Sequence, residues 1–351
     1  MAVDLYFDEN YGTLYEKIEG GVATSFLYES ELGKISHQFI LREIPSELTG
    51  GQKLYDIVSP YGYGGPVIEE VRGGALSHGE SSQRVLSPDE PSQDEVTQKL
   101  VTEFETAFTQ YCAEHSIVSE FVRFHPIVGN GVDFEKIYHS TWDRHTLGTN
   151  LKDFEDPVAA EFTKHCRKRI RQALNKGVTY KITEKPMDLS GFKEIYYDTM
   201  DRNEAGDYYY FDDEYFNNCI KYYGENLLLV EAIFEEKVIA AGMYFTYGKL
   251  IHIHLSGTRH EYLNMSPAYV LRYALALWGK EHGYEMIHHG GGRSNAPDDS
   301  LYLFKEQFAT NTKFDFYVGR KVWMKDKYLE LCEKVGADPD GAFFPAYRQR
   351  H

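Results

Sequence analysis

Apolar and polar residues alternate over several short stretches of this chain, and strict alternation marks half-buried strands. VATSFLYES (22–30) and KISHQFILREI (34–44) read as a hairpin turning at Leu32-Gly33, and KLYDIVSP (53–60) is a strand leading into YGYGGPVI (61–68). SEFVRFHPI (119–127) and EKIYHSTW (135–142) continue the series. Further on come VTYKITEK (178–185), NLLLVEAIFEE (226–236), KVIAAGMYFTYG (237–248), KLIHIHLSGT (249–258), YEMIHH (284–289) and KFDFYVGRKVW (313–323). Turns at Glu235-Glu236 and Tyr247-Gly248 make the middle three an antiparallel meander.

Helical spacing separates these runs. It predicts a short helix over 9–19, one over 95–115 with Val101, Phe104, Phe108 and Tyr111 on one face, and one over 157–176. Helices follow at 191–203, 212–224, 266–283 and 324–336, the third with Pro267 in its first turn and Gly283 past its end. Residues 72–96 are polar and rich in Gly, Ser and Pro, a long loop that is either a lid or disordered. The order helix, antiparallel strands, helix, strand, helix, strand occurs twice. It predicts an α/β chain of two similar units, each a largely antiparallel sheet flanked by helices.

A chain of 351 residues, 42% of them hydrophobic, can fill one large or two ordinary cores. It has neither an apolar N-terminal leader nor an apolar run near 18 residues, and its four cysteines form no CxxC pair. A reduced, cytoplasmic protein without a disulfide frame or structural zinc is expected. The net charge of −17 argues against a protein that coats DNA or other nucleic acid unspecifically. One stretch runs against that background: KHCRKRIRQALNK (164–176) has six Lys or Arg and no acid. It is either a solvated helix face or an anion-contact surface, with Arg167, Lys168 and Arg171 as its phosphate-contact candidates.

The most distinctive stretch is EMIHHGGGRSNAPDDSLYLFKEQF (285–308). Gly290, Gly291 and Gly292 suit positive φ or the close approach of another group after a strand. Asp298, Asp299 and Ser300 are helix-start residues, and Lys305 then lies beside an apolar stripe of Leu301, Phe304 and Phe308. The layout suits a ligand crevice at a strand end; a plain loop and an amphipathic helix remain the alternative.

Taken together, these motifs resemble the Fem-type acyltransferases, which have tandem GNAT-like domains and add amino acids to peptidoglycan precursors from aminoacyl-tRNA. SPYGYGGP (59–66) is similar to the family's PYGP-type turn, and RKRIRQALNKGV (167–178) to its basic helix. HHGGG followed by DDSLYLFKEQF is similar to its signature of a Gly run and a Phe-Lys-x-x-Phe helix. The resemblance implies a GNAT-like domain over 1–152, with 316–351 returning to it, a second over 153–315, and a cleft between them. It implies that Lys305 stabilises charge at the reacting carbonyl. The Gln/Arg-x-x-Gly-x-Gly/Ala loop for acetyl-CoA is not evident in GTRHEYLNMSPAY (257–269). The co-substrate expected is therefore aminoacyl-tRNA, with acyl-CoA as the alternative and no resident cofactor. Arg202 has no second arginine nearby, which directs the acceptor away from a UDP-linked precursor towards another amine: a peptide, an amino sugar or a small metabolite. A binding module that has lost the chemistry is a third reading.

Amide formation needs a free amine, a donor for the oxyanion and a proton for the leaving group. Lys305 is the expected donor. His252 and His254 alternate with apolar residues, so both face one side of their strand, as catalytic groups or as core histidines. His288 and His289 face opposite sides, so no four-histidine metal site is expected. Tyr61, Tyr63 and Gly64 in an aromatic loop, Arg123 and His125 on one strand, and Arg202 with Asn203 are acceptor-binding candidates. Tyr209, Ser256, His289, the three glycines and Phe304 complete the substrate-binding set.

Overall fold

The computed structural model describes residues 2–73 and 92–349. Most of the polar stretch 72–96, and with it the choice between lid and disorder, lies outside the described residues. Along the chain, α1 (Glu16–Glu19) precedes β1 (Val22–Ser30), β2 (Gly33–Glu43), α2 (Ser46–Thr49), β3 (Tyr55–Val58) and β4 (Gly65–Val71). α3 (Gln93–Glu114), β5 (Ile117–Arg123), α4 (Asn130–Asp133), α5 (Glu135–Tyr138) and β6 (Thr141–Asn150) follow. Next are α6 (Pro157–Glu161), α7 (Lys164–Asn175), β7 (Thr179–Glu184), α8 (Ser190–Arg202) and α9 (Asp213–Tyr223). Then come β8 (Leu227–Phe234), β9 (Lys237–Tyr247), β10 (Leu250–Thr258), α10 (Pro267–Glu281) and β11 (Met286–Gly290). α11 (Ser300–Glu306), β12 (Lys313–Val322) and α12 (Lys325–Val335) close the series. None of the described helices is long and apolar enough to cross a membrane.

Two compact units form: residues up to Asp143 together with those from Phe316 onward, and Arg144–Asp315. In the first, the strand order is β1-β2-β3-β5-β12, with β4 also on β2. Among its described strands only β3 and β5 run parallel. Parallel neighbours need a crossover rather than a hairpin, and α3 lies within that connection. Ser92 and Glu95 close a capping box at its start. Its Leu100, Phe104 and Phe108 pack on Ile35, Phe39, Ile57 and Val122. A second cluster sets Tyr328 and Leu331 of α12, with Tyr347, against Ile44, Leu54 and Val118. Buried Asp56 binds Arg42 Nε at 2.7 Å, Tyr347 Oη at 3.0 Å and Arg348 Nε at 2.5 Å.

The second unit repeats the plan. Its strands run β6-β11-β10-β9-β8-β7, and only β10 and β11 are parallel, with α10 as the crossover. α10 buries Val270, Leu271, Ala274 and Leu275 against β8 to β10, beside Phe162, just past α6, and Cys166 and Ile170 of α7. α8 covers the other face so closely that a Cβ on Gly257 would sit 2.5 Å from the Ile195 carbonyl oxygen.

This is the mixed α/β architecture expected, a mostly antiparallel sheet flanked by helices. Several element assignments differ. Over 9–19 the chain forms one 3-10 turn, Gly12–Tyr15, and the four-residue α1, and the strand β6 runs on to Asn150. Glu135–Tyr138 is a helical turn, not a strand, ended by His139 at φ 48°. The basic helix is broken at Phe162-Thr163, where Thr163 Oγ1 accepts the Cys166 N–H and starts α7 afresh.

Candidate active site

The second unit contains an opening in its sheet. β10 and β11 pair over three residues only, Leu250–His252 with Met286–His288. Beyond them β10 stays with β9, through a bulge between Ile253 and Leu255, while β11 stays with β6 as far as Gly290. The strands diverge, and a wedge opens between them. Side chains from α10, α11 and both strands gather at it.

Lys305, on α11, donates to the Gly291 carbonyl at 2.6 Å, just past the end of β11. It is half-buried. Burial is the main cause that pulls its ammonium from the ordinary lysine range down to about 7; Arg272 and Arg144 add repulsion, and Asp299 opposes them. Phe304 and Phe308 hold the helix against Tyr269, with ring centroids 5.4 and 5.3 Å away.

Asp299 caps α11. Its Oδ1 accepts from Tyr302 N at 2.8 Å, and Oδ2 from Arg293 N and Ser294 N at 2.9 Å each. These bonds, the Tyr302 N–H foremost, hold its carboxyl at about 2. The glycine run is explained by the same loop. Gly290 has φ 72°, and a Cβ on Gly292 would lie 2.6 Å from Asp299 Oδ1. Arg144 Nη1 donates to the Gly292 carbonyl at 2.9 Å. The close approach the glycines permit is that of Asp299 and Arg144.

Arg272 was not among the residues singled out from sequence. It is 6% exposed. Its Nη1 donates to Tyr244 Oη at 2.6 Å and lies 3.4 Å from Ser256 Oγ, while its Nε has no partner among the described residues. No carboxylate pairs with it among the described residues. A signal existed: an arginine stands inside the apolar run VLRYALAL (270–277), where a charge is out of keeping with a buried face. His289 reaches the same cluster. Its Nε2 is 2.7 Å from Thr149 Oγ1, which gives its single proton to the Phe308 carbonyl, also at 2.7 Å. Nε2 is therefore the protonated nitrogen and Nδ1 the bare acceptor, buried without a partner among the described residues. Burial, then the charges of Arg272 and Lys305, keep this imidazole neutral far below its usual range.

The two strand histidines are elsewhere. His252 is aligned with His288 across the parallel pair, their rings 5.9 Å apart, and His288 binds Thr146. His254 lies in the bulge, 2.5 Å from Tyr215 Oη on α9, and burial draws it down to about 3. His254 thus faces α9, whereas Arg272 stands on α10 and Lys305 on α11, with His289 reaching Thr149 and the end of the Lys305 helix. The structure does not bring Lys305 together with His252 and His254.

Other candidates serve local bonds. In the first unit, Tyr63 packs edge-on against His125, Gly64 N donates to the Arg123 carbonyl at 2.7 Å, and Arg123 Nη1 reaches the Ser59 carbonyl at 3.0 Å. The Tyr61 carbonyl accepts from Tyr11 Oη at 2.8 Å. His125 Nδ1 accepts from the N–H groups of Ile127 and Val128. In the second, Arg202 Nη1 ties α8 to the Thr258 carbonyl at 2.8 Å, Asn203 is exposed, and so is Tyr209 at 41%. On α7, Arg167 donates to the carbonyls of Ala159 and Phe162, leaving Lys168 and Arg171 exposed.

Residues 160–297 match the acetyltransferase (GNAT) domain family. Among solved structures the fold is shared with FemX, at TM-score 0.62 and 11% identity over 93% of this chain and 92% of that one. It is shared with the C-terminal domain (DUF2156) of a putative lysylphosphatidylglycerol synthetase from Agrobacterium fabrum, at TM-score 0.55 and 12% identity over 93% and 94%. L-PGS from Bacillus licheniformis gives TM-score 0.52 and 14% identity over 93% and 94%. No curated protein matches the chain by sequence.

Proposed function

For an acyltransferase whose residues 160–297 match the GNAT domain family, we propose amide formation by transfer of an aminoacyl group from aminoacyl-tRNA to an amine. The observation that carries this reading is Lys305. Its ammonium is held on the Gly291 carbonyl at the mouth of the β10–β11 wedge, among other cations and with little water to weaken its field. The amine nitrogen attacks the ester carbonyl carbon, and the new C–N bond forms as negative charge develops on the carbonyl oxygen. Lys305 donates to that oxygen. The C–O bond to the ribose then breaks, and the proton lost by the amine passes to the departing ribose oxygen.

The donor assignment rests on α7. Lys164, Lys168 and Arg171 are exposed at i, i+4 and i+7, one helix face, with no partner among the described residues. Arg169 Nη1, 3.3 Å from Ser266 Oγ, ties that helix to the start of α10. A basic stripe on a chain of net charge −17 supports phosphate contact at this face. Arg167, bonded inward, contributes little to it. Lysylphosphatidylglycerol synthetase, the name carried by one protein of this fold, denotes a lysyl group in the product and points to similar cargo.

Acyl-CoA as donor to an amino sugar or small amine is the second reading, favoured by the GNAT match itself. The two are separated by incubating the protein with an amine mixture and either radiolabelled aminoacyl-tRNA or labelled acetyl-CoA. Mild base destroys esters and thioesters, so only label moved into an amide survives. Base-stable product from tRNA alone supports the first reading; product from acetyl-CoA alone replaces it with the second.

A further inference from the structure

The wedge holds an imbalance of charge. Lys305 and Arg272 are both cationic and close enough to raise each other's cost of burial. Asp299 is committed to four donors of its own loop. An enclosed guanidinium without a carboxylate is expensive to bury. The described residues give Arg272 only two hydroxyl neighbours, Tyr244 and Ser256, and both meet Nη1. The opposite edge of the guanidinium, Nε with Nη2, is left over, and Nε is buried. Two parallel N–H donors on one edge match the two oxygens of a carboxylate. Beside it stands a group of opposite character: His289 Nδ1, a buried acceptor whose tautomer is fixed by Thr149. One unanswered donor edge and one unanswered acceptor, in the same cluster, ask for a ligand that accepts at one end and donates at the other.

We infer that this wedge binds an amino acid, its carboxylate on the free edge of Arg272 and its amine donating to His289 Nδ1. This deepens the proposed function, on which its catalytic meaning rests: the amine that receives the acyl group carries a carboxylate next to its nucleophilic nitrogen. The site thereby selects amino acids or peptides with a free carboxylate near the reacting amine over amino sugars and plain alkylamines. His289 is a positioning residue here; it stays neutral and orients the amine.

Binding is measured directly, without any acyl donor. The full chain is titrated calorimetrically, at fixed ionic strength, with each of the twenty common amino acids, with acetate and with methylammonium. At least one amino acid is expected to bind saturably, ten-fold or more tighter than acetate, with methylammonium showing no saturation. Arg272→Lys keeps the charge and loses the fork, and should weaken that amino acid at least ten-fold while melting within a few degrees of wild type. Arg272→Met, which removes the buried charge, takes its place if the lysine variant does not fold. Lys305→Met should lower the transfer rate by roughly 10²–10³-fold yet still bind the amino acid, so failure of the transfer reading is separable from failure of this one. Absence of saturable binding by every amino acid to the folded wild-type chain overturns the inference. So does binding that the Arg272 substitutions leave unchanged, or methylammonium binding as tightly as the amino acid.

Discussion

Replacing Lys305 by arginine tests the chemistry through its pH dependence. In the folded protein the Lys305 ammonium loses its proton at about 7 instead of in the ordinary lysine range. If the ammonium is the oxyanion donor, the active fraction is about half at pH 7 and roughly a tenth at pH 8, falling about ten-fold per further unit. The amine acceptor titrates too, and its deprotonation raises the rate with pH. That contribution cancels in the ratio of wild type to Lys305→Arg, because a guanidinium stays protonated throughout. The expected ratio of kcat/KM is flat below about pH 6 and declines with unit slope above about pH 8. Lys305→Met removes the donor at every pH and should lower kcat by roughly 10²–10³-fold, the range for removing one oxyanion donor. The assay is single-turnover formation of base-stable amide from pH 5.5 to 9. A ratio that rises through pH 7 would refute the reasoning, since it would make the neutral amine of Lys305 the working form and a general base the better assignment. Retention of full activity by Lys305→Met would remove the residue from the chemistry altogether.

Stability should carry the same signature with the sign reversed. The unfolded chain keeps the Lys305 proton to higher pH than the folded one, so this group opposes folding fully below about pH 7 and progressively less towards alkaline pH. The melting-temperature gain of Lys305→Met over wild type should accordingly be larger at pH 6 than at pH 9. Gly257→Ala places a Cβ 2.5 Å from a backbone oxygen of α8 and should cost about 1–3 kcal/mol in denaturant titrations; an unchanged midpoint would mean that α8 yields freely. Asp299→Ala removes the cap of α11 and the tie to Arg293 and Ser294. A destabilisation of about 1–2 kcal/mol is expected, with a fall in transfer rate that exceeds any change in acceptor binding. Lys168→Glu with Arg171→Glu should weaken tRNA binding and lower the slope of log affinity against log salt by roughly 0.7–0.9 for each phosphate no longer neutralised. A slope equal to wild type would return α7 to the role of a solvated surface.

Alternation and helical spacing were enough to read most strands and the long helices, because burial on one face imposes those periods directly. They failed where a local hydrogen bond outweighs the period. Ile137 and Tyr138 suit a strand by type, yet Phe134 and Glu135 begin a turn that His139 ends in the left-handed region. Thr163 restarts a helix within a stretch whose apolar spacing runs through without a gap. At the candidate site, the glycine run and the Lys305 helix are legible, since φ, caps and composition are local properties. The partition of His252 and His254 from Lys305 is not. It depends on which helices cover which face, and a strand pattern leaves that open. Arg272 went unnoticed for a related reason. The apolar run VLRYALAL marks a charge out of place, but the hydroxyls that meet it, Tyr244 and Ser256, come from strands paired only in space.

The order in which this chain is synthesised has a consequence for the first unit. β5 gains its β12 neighbour, and Asp56 its bonds to Tyr347 and Arg348, only from residues that follow the whole second unit. As the polypeptide emerges, Arg144–Asp315 is complete while residues before Asp143 still lack those partners. During that interval one flank of β5 is an unpaired edge, and a carboxylate destined for full burial has only part of its final hydrogen-bond set. The earlier-made unit is thus the later one to finish, and the nascent chain is exposed to strand-edge association for as long as the ribosome takes to reach Tyr347.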